Sequence, residues 1–283
     1  MIRFGTVTLM TILAAGVGAS AETLLERGSY LVNAIMACDG CHTPRTPTGG
    51  FVADKRLAGG SILFDEPEYT VLGANITPDI ETGIGGWNEA EFERALTEGV
   101  RPSGVPLAPS MPFVFYKILT PRDLDAVVAY VRTVTPVRNE VQIPNYKAEM
   151  HAELVPGSEK SIGNEVPTDP IQRGAYLASL AHCMECHSRR PDNRQDYKNW
   201  WGKGGAEIKG PWGRVIVRNI SSHREKGIGA WSDSEIRRAL THGVGRDGRT
   251  FKLPMARQVY FSKMADADLD AIVAWVRNIP PIE

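Results

Sequence analysis

Leu124, Val127, Val128 and Val131 fall at i, i+3, i+4 and i+7, one apolar stripe along a helix. Leu269, Ile272, Val273 and Val276 repeat that spacing near the end of the chain. Thr120-Pro121 marks the start of the first of these helices, with threonine as N-cap and proline in the first turn. Phe92, Ala95 and Leu96 define the buried face of another helix over 88–99, with a counterpart over 232–243. Two more helices are predicted over 24–37 and 170–182. Each is followed by a long loop rich in glycine and proline, with Pro44, Pro47, Gly49, Gly50, Gly59 and Gly60 in one and Pro191, Gly202, Gly204 and Gly205 in the other. Strand-like runs are confined to 68–72 and 214–217. The pattern predicts a mainly α protein.

The pattern also occurs twice. Arg27-Gly28-Ser29-Tyr30-Leu31 returns as Arg173-Gly174-Ala175-Tyr176-Leu177, and Asn75-Ile76 returns as Asn219-Ile220. Gly83-Ile84-Gly85-Gly86-Trp87 returns as Gly227-Ile228-Gly229-Ala230-Trp231, and the closing helix from Asp123 returns from Asp268. A period of this length means tandem domains, since solenoid units run roughly 20–50 residues. The expected division is 22–137 and 169–283, joined by a proline-rich connecting segment over 138–168. Gly28 and Gly174 either let the first helix of each repeat approach the last, against Tyr130 and Trp275, or only mark the helix starts.

Composition adds a compartment. Arg3 followed by an uncharged apolar stretch over 4–18 and by Ala19-Ser20-Ala21 reads as an export signal over 1–21, cleaved after Ala21. The stretch is shorter than the roughly 20 residues of a membrane span, and no other segment is apolar enough, so no transmembrane helix is expected in the mature chain. The net charge of −1 lacks the basic footprint of a nucleic-acid partner. A periplasmic location, with the possibility of peripheral docking on a membrane complex, follows.

All four cysteines lie in two copies of Cys-x-x-Cys-His, at Cys38-Cys41-His42 and Cys183-Cys186-His187. Such a pair can be half a zinc site, a redox dithiol or a disulfide. The histidine placed identically after both pairs, and the lack of a preceding strand, favour covalent attachment of c-type haem, with the histidine as proximal iron ligand. Two covalent haem c groups are therefore expected. For the opposite iron position the candidates are Met111 and Met255, each 24 residues after the repeated tryptophan (Trp87, Trp231) in a proline-containing loop. Met36, Met150, Met184 and Met264 have no methionine counterpart and read as core. His151, His182, His223 and His242 are alternative ligands, each present in one repeat only. Trp87, Trp231, Asn75 and Asn219 are candidates for packing on haem or bonding its propionates. The basic aromatic stretch 189–203 is either a partner face or a solvated loop.

With these residues the chain resembles the dihaem and trihaem cytochrome c subunits of periplasmic dehydrogenases of the alcohol, gluconate and molybdenum hydroxylase types. The resemblance rests on Arg27-Gly-x-Tyr-Leu, both haem motifs, Asn75-Ile-Thr-Pro-Asp79, Gly83-Ile-Gly-x-Trp87, Met111-Pro112 and their second copies. It implies that Cys38, Cys41, His42 and Met111 hold one haem and that Cys183, Cys186, His187 and Met255 hold the other. It further implies a protein that is not itself an enzyme, taking electrons from a dehydrogenase catalytic subunit and passing them to a cytochrome or terminal oxidase. The alternative is a dihaem redox enzyme of the peroxidase or thiosulfate-oxidising type.

Overall fold

The computed structural model describes residues 22–61, 63–210 and 212–283. The export signal expected over 1–21 lies outside the described residues. The first repeat forms α1 (Leu24–Tyr30), α2 (Asp39–His42), α3 (Glu89–Glu98), α4 (Phe113–Tyr116) and α5 (Pro121–Val131). The second forms α6 (Pro170–Leu180), α7 (Cys183–His187), α8 (Asp233–His242), α9 (Gln258–Phe261) and α10 (Asp266–Arg277) in the same order. Strands are few. β1 (Leu63–Asp65), β2 (Tyr69–Leu72) and β3 (Asn145–Tyr146) make one antiparallel sheet, with Phe64 opposite Val71 and Tyr69 opposite Tyr146. β4 (Glu207–Gly210) and β5 (Gly213–Ile216) make a hairpin in the corresponding place. Among the described residues no helix is long and apolar enough to cross a membrane.

Local chemistry explains the helix ends. Asn88 with Glu91 and Ser232 with Glu235 form capping boxes that satisfy the first free N–H groups of α3 and α8. Gly99 and Gly243 close those helices in the left-handed conformation, which glycine adopts at least cost. Thr120 accepts from the Asp123 amide at 3.1 Å, with Pro121 opening α5 as the sequence predicts. The helix predicted over 24–37 is less regular. It is α-helical only to Tyr30 and continues as a π-helical segment over Leu31–Ile35, where Leu31, Val32, Ala34 and Ile35 are all buried.

The tightest packing joins α1 to α5 and α6 to α10. A Cβ on Gly28 would run into the Ala126 carbonyl and the Tyr130 side chain, and one on Gly174 into the Ala271 carbonyl and Trp275. Both glycines thus set the helix separation. The repeats are not independent bodies: α4 packs on α6, and α9 packs on the π segment that follows α1. One apolar core therefore runs through both, containing Leu31, Ile35 and Phe115 together with Tyr176, Leu180 and Phe261. The segment 138–168 does more than connect. It supplies β3, and Val155 is 1% exposed within the same core.

Charged groups are buried at the helix contacts. Arg27 donates from Nε and a terminal nitrogen to the two oxygens of Asp123 at 2.8 and 2.7 Å, and Tyr176 donates its hydroxyl to Asp123 at 2.6 Å. Asp123 is 2% exposed and stands at the third position of α5. In the second repeat Arg173 Nε donates to Asp268 at 2.6 Å, and Tyr30 donates its hydroxyl to the same carboxylate at 2.7 Å. Burial opposes the Arg27 charge, but the bonded Asp123 outweighs it and holds the guanidinium protonated. Removing one member of such a set strands a buried charge. Asp123→Ala is expected to destabilise the protein by about 3–5 kcal/mol, measured by chemical denaturation, whereas Arg122→Ala, which loses one exposed bond to the Glu22 carbonyl, should cost under about 1 kcal/mol.

Candidate functional site

Each Cys-x-x-Cys-His motif begins after a residue held in the left-handed conformation, Ala37 (φ 55°) in one repeat and His182 (φ 44°) in the other. This conformation costs a non-glycine residue roughly 1–3 kcal/mol and recurs at matched places. It ends the leading helix and redirects the chain into the short α2 and α7. There the two cysteines of each pair, three residues apart, lie on one face of the turn.

The loop that follows returns to the motif and fixes the histidine. Gly59 donates its amide to the His42 carbonyl at 2.6 Å, and Gly204 does the same to His187 at 2.8 Å. His42 Nδ1 lies 2.7 Å from the Ala74 carbonyl oxygen, and His187 Nδ1 lies 2.7 Å from that of Arg218. A carbonyl only accepts, so Nδ1 carries the hydrogen in both rings and Nε2 keeps its lone pair. Burial lowers the pKa of both histidines, opposed by the bond to the carbonyl, so the rings are neutral at pH 7. A neutral imidazole with Nδ1 tied to a carbonyl is the form in which histidine ligates a metal through Nε2.

The thiols do not match a redox dithiol. Burial pushes Cys38 and Cys186 up to about 12 and Cys41 and Cys183 up to about 11, whereas reactive pairs have depressed values. Nor do they match a zinc site: among the described residues no three His, Cys, Asp or Glu side chains converge. Haem fits better. The Nε of Arg45 and of Arg189 are buried without a protein acceptor, and these arginines occupy matched places in the repeated bridges Arg45–Phe51 and Arg189–Gln195. Arg132 and Arg190 Nε are also buried without an acceptor, but Arg45 and Arg189 are the pair at matched places in the repeated bridges, and matched buried donors suit a cofactor that carries carboxylates.

Met111 and Met255 are both half-buried, and Met111 packs against the core. Their backbones are held alike. The Phe113 amide donates to the Met111 carbonyl at 2.8 Å, and the Arg257 amide donates to the Met255 carbonyl at 2.7 Å. The other methionines behave as core: Met36, Met184 and Met264 are buried, and Met150 packs on Tyr69 and Val71. Of the alternative histidines, His151 is exposed, and His223 accepts at Nδ1 from two backbone amides. His242 lies beside Thr241, and His182 is held between Glu185 at 2.6 Å and Arg257 at 3.1 Å.

Asn75 and Asn219 are engaged elsewhere. Asn75 donates to the Val137 carbonyl at 2.8 Å and accepts from the Thr77 amide, while Asn219 donates to the Ile282 carbonyl at 2.8 Å and accepts from the Ser221 amide. They brace the loop behind the histidine. Trp87 and Trp231 present their carbonyls to Arg132 and Arg277. Within the stretch 189–203 three of the cations are answered locally, by Lys203 over Trp200 at 3.8 Å, Arg190 with Asp196 and Arg194 with Asp192. The carbonyls of Ala74 and Arg218 and the strained Ala37 and His182 escape sequence reasoning because backbone groups carry no residue signal. Arg45 and Arg189 left one faint trace, their alignment between the repeats.

Residues 171–280 match the cytochrome c family model. Over 276 residues the chain is 33% identical to the fructose dehydrogenase cytochrome subunit of Gluconobacter japonicus, covering 90% of this chain and 52% of that protein. It is 29% identical over 281 residues to the cytochrome c subunit of a quinone-dependent alcohol dehydrogenase of Gluconobacter oxydans, covering 92% of this chain and 56% of the relative. A dihaem cytochrome c-type protein of Cereibacter sphaeroides is 29% identical over 257 residues, covering 87% of this chain and 83% of its own length. The chain thus spans about half the length of the first two relatives and most of the third.

The return of the loop depends on glycine. Gly59 and Gly204 have φ of 80° and 66°, and a Cβ on either would press to 2.6 Å from the backbone of Ala74 or Val217. Gly59→Ala and Gly204→Ala should each cost about 3 kcal/mol or more. Gly49→Ala, with φ 89° but open space around it, should cost about 1 kcal/mol. Denaturant midpoints of the three variants check the order.

Proposed function

Because residues 171–280 match the cytochrome c family and nearly the whole chain is related to cytochrome c subunits, we propose that it is a periplasmic dihaem cytochrome c of two tandem domains, 22–137 and 169–283. It would take electrons one at a time from the catalytic subunit of a dehydrogenase and pass them to a downstream cytochrome or terminal oxidase. The observation that carries this reading is the twice-built histidine: two cysteines, then a neutral imidazole whose Nδ1 is tied to a backbone carbonyl at 2.7 Å. The relatives named as dehydrogenase subunits supply the class of electron donor.

On this reading Cys38 and Cys41 hold the first haem c, and Cys183 and Cys186 the second. His42 with Met111 and His187 with Met255 are the iron ligands. A bound haem supplies an iron centre that gains and loses one electron, at a potential raised by thioether ligation. The protein's part is to hold that centre still. The carbonyls of Ala74 and Arg218 fix each imidazole plane, Gly59 and Gly204 anchor the histidine backbone, and the amides of Phe113 and Arg257 pin the methionine loops. Arg45 and Arg189 offer buried donors for cofactor carboxylates. With a methionine available to each site no ligand position is left open, and no cysteine is spare as a ligand. Both features favour a carrier over a dihaem peroxidase or thiosulfate-oxidising enzyme.

The holoprotein should contain two haems per chain by pyridine haemochrome, show methionine ligation in near-infrared magnetic circular dichroism, and take up no carbon monoxide. Met111→Leu should raise carbon monoxide uptake from none to one per chain and leave the second haem unaltered. Two unperturbed haem spectra in that variant would remove Met111 from the ligand set, and uptake by the unsubstituted protein would favour the enzymatic alternative.

A further inference from the structure

We propose that Tyr30 and Tyr176 are positioning residues that fix the two haem motifs relative to each other, each by donating its hydroxyl to the carboxylate that closes the opposite repeat. The proposal rests on the dihaem reading above and extends it to the coupling between the two centres.

The geometry is crossed and repeated. Asp123 is bonded by Arg27 of its own repeat and by Tyr176 of the other, at 2.6 Å from the phenol. Asp268 is bonded by Arg173 of its own repeat and by Tyr30 of the other, at 2.7 Å from the phenol. The Ala265 amide, at the start of α10, donates to the Tyr30 oxygen at 3.1 Å, which ties that phenol to the opposite repeat a second time. Each aspartate therefore divides its lone pairs: the arginine closes its own repeat, and the tyrosine joins the repeats. The Arg-Gly-x-Tyr spacing puts the two donors three residues apart, on one turn of α1 or α6.

The tyrosines also sit on the right levers. The helix bearing Tyr30 runs through the π segment to Cys38, and the helix bearing Tyr176 runs to Cys183 with only Ala181 and His182 between. A shift of either helix against the opposite repeat carries its motif with it. The motif itself faces that repeat: a Cβ on Gly40, inside the first motif, would lie 3.6 Å from the Tyr260 hydroxyl. The packing of α4 on α6 and of α9 on the π segment completes the crossed arrangement.

Phenylalanine keeps the ring and its burial and removes only the donated hydrogen. Tyr30→Phe, Tyr176→Phe and the double variant are therefore made in the holoprotein, and the separation of the two ferric irons is read by pulsed dipolar electron paramagnetic resonance. Haem content and each haem's own spectrum should stay unchanged, because both arginine–aspartate pairs remain. The dipolar distribution of the double variant should broaden and shift. Electron exchange between the haems should slow measurably with it, because the rate follows the separation and orientation of the two centres. Each single variant should show part of the change, and they decide the matter should the double variant not fold with haem. A dipolar distribution and exchange rate equal to those of the unsubstituted protein overturn the proposal and leave the dihaem reading standing. Fewer than two haems in the unsubstituted protein overturn that reading before any variant is made.

Discussion

Two buried carboxylates, Asp123 and Asp268, govern how this chain packs. Each is 2% exposed at the third position of a closing helix, where the helix dipole favours negative charge but burial penalises it. The charge is tolerable only with an arginine and further donors at hand, so the first helix of each repeat must come alongside the last. That approach needs Gly28 and Gly174, since any side chain there meets the carbonyl of Ala126 or Ala271. The remaining lone pairs are met by Tyr176 and Tyr30, which belong to the other repeat. One electrostatic demand thus couples the closing of each repeat to the docking of both. A buried ion pair is weak evidence for stability in itself; its geometric strictness matters more here.

The candidate sites inherit their precision from this frame. Once α1 and α6 are placed, the left-handed turns at Ala37 and His182 set the direction of each motif. The returning loops then bring the Ala74 and Arg218 carbonyls to the histidine rings. Asn75 and Asn219 hold those loops by bonds to Val137 and Ile282, in the short segments that follow each closing helix. Closing helix, loop and histidine are thereby linked in one chain of contacts in each repeat, made twice with nearly the same distances.

Much of this was legible beforehand. The stripe from Leu124 to Val131, the threonine–proline start of α5 and the glycine ends of α3 and α8 are local signals, and the helices follow them. The recurring glycine at Gly28 and Gly174 allowed two readings, a close approach or a helix start, and the packing selects the close approach. Other features were not legible. The π-helical turn over Leu31–Ile35 buries positions that α-helical spacing would also put on one side, so periodicity alone does not disclose it. Asn75 and Asn219 read in the sequence as candidate cofactor contacts, while their bonds to carbonyls more than sixty residues away in sequence appear only in the fold. The segment 138–168 looked like a linker, yet Val155 sits in the core and Asn145–Tyr146 pairs with β2.

The sequence by itself determined the elements and the candidate chemistry: two copies of paired thiols followed by histidine, matched methionines, a repeated helix order and a charge that argues against nucleic acid. Each depends on residue type and short spacing, which covalent geometry turns directly into local structure. Only the tertiary structure decided which tautomer each histidine holds, where the buried arginines stand without acceptors, and how the repeats face each other. Those outcomes rest on backbone carbonyls and on partners up to 238 residues apart, as between Tyr30 and Asp268. A backbone oxygen is the same atom in every residue, so its role is set by where folding carries it and not by any letter in the chain.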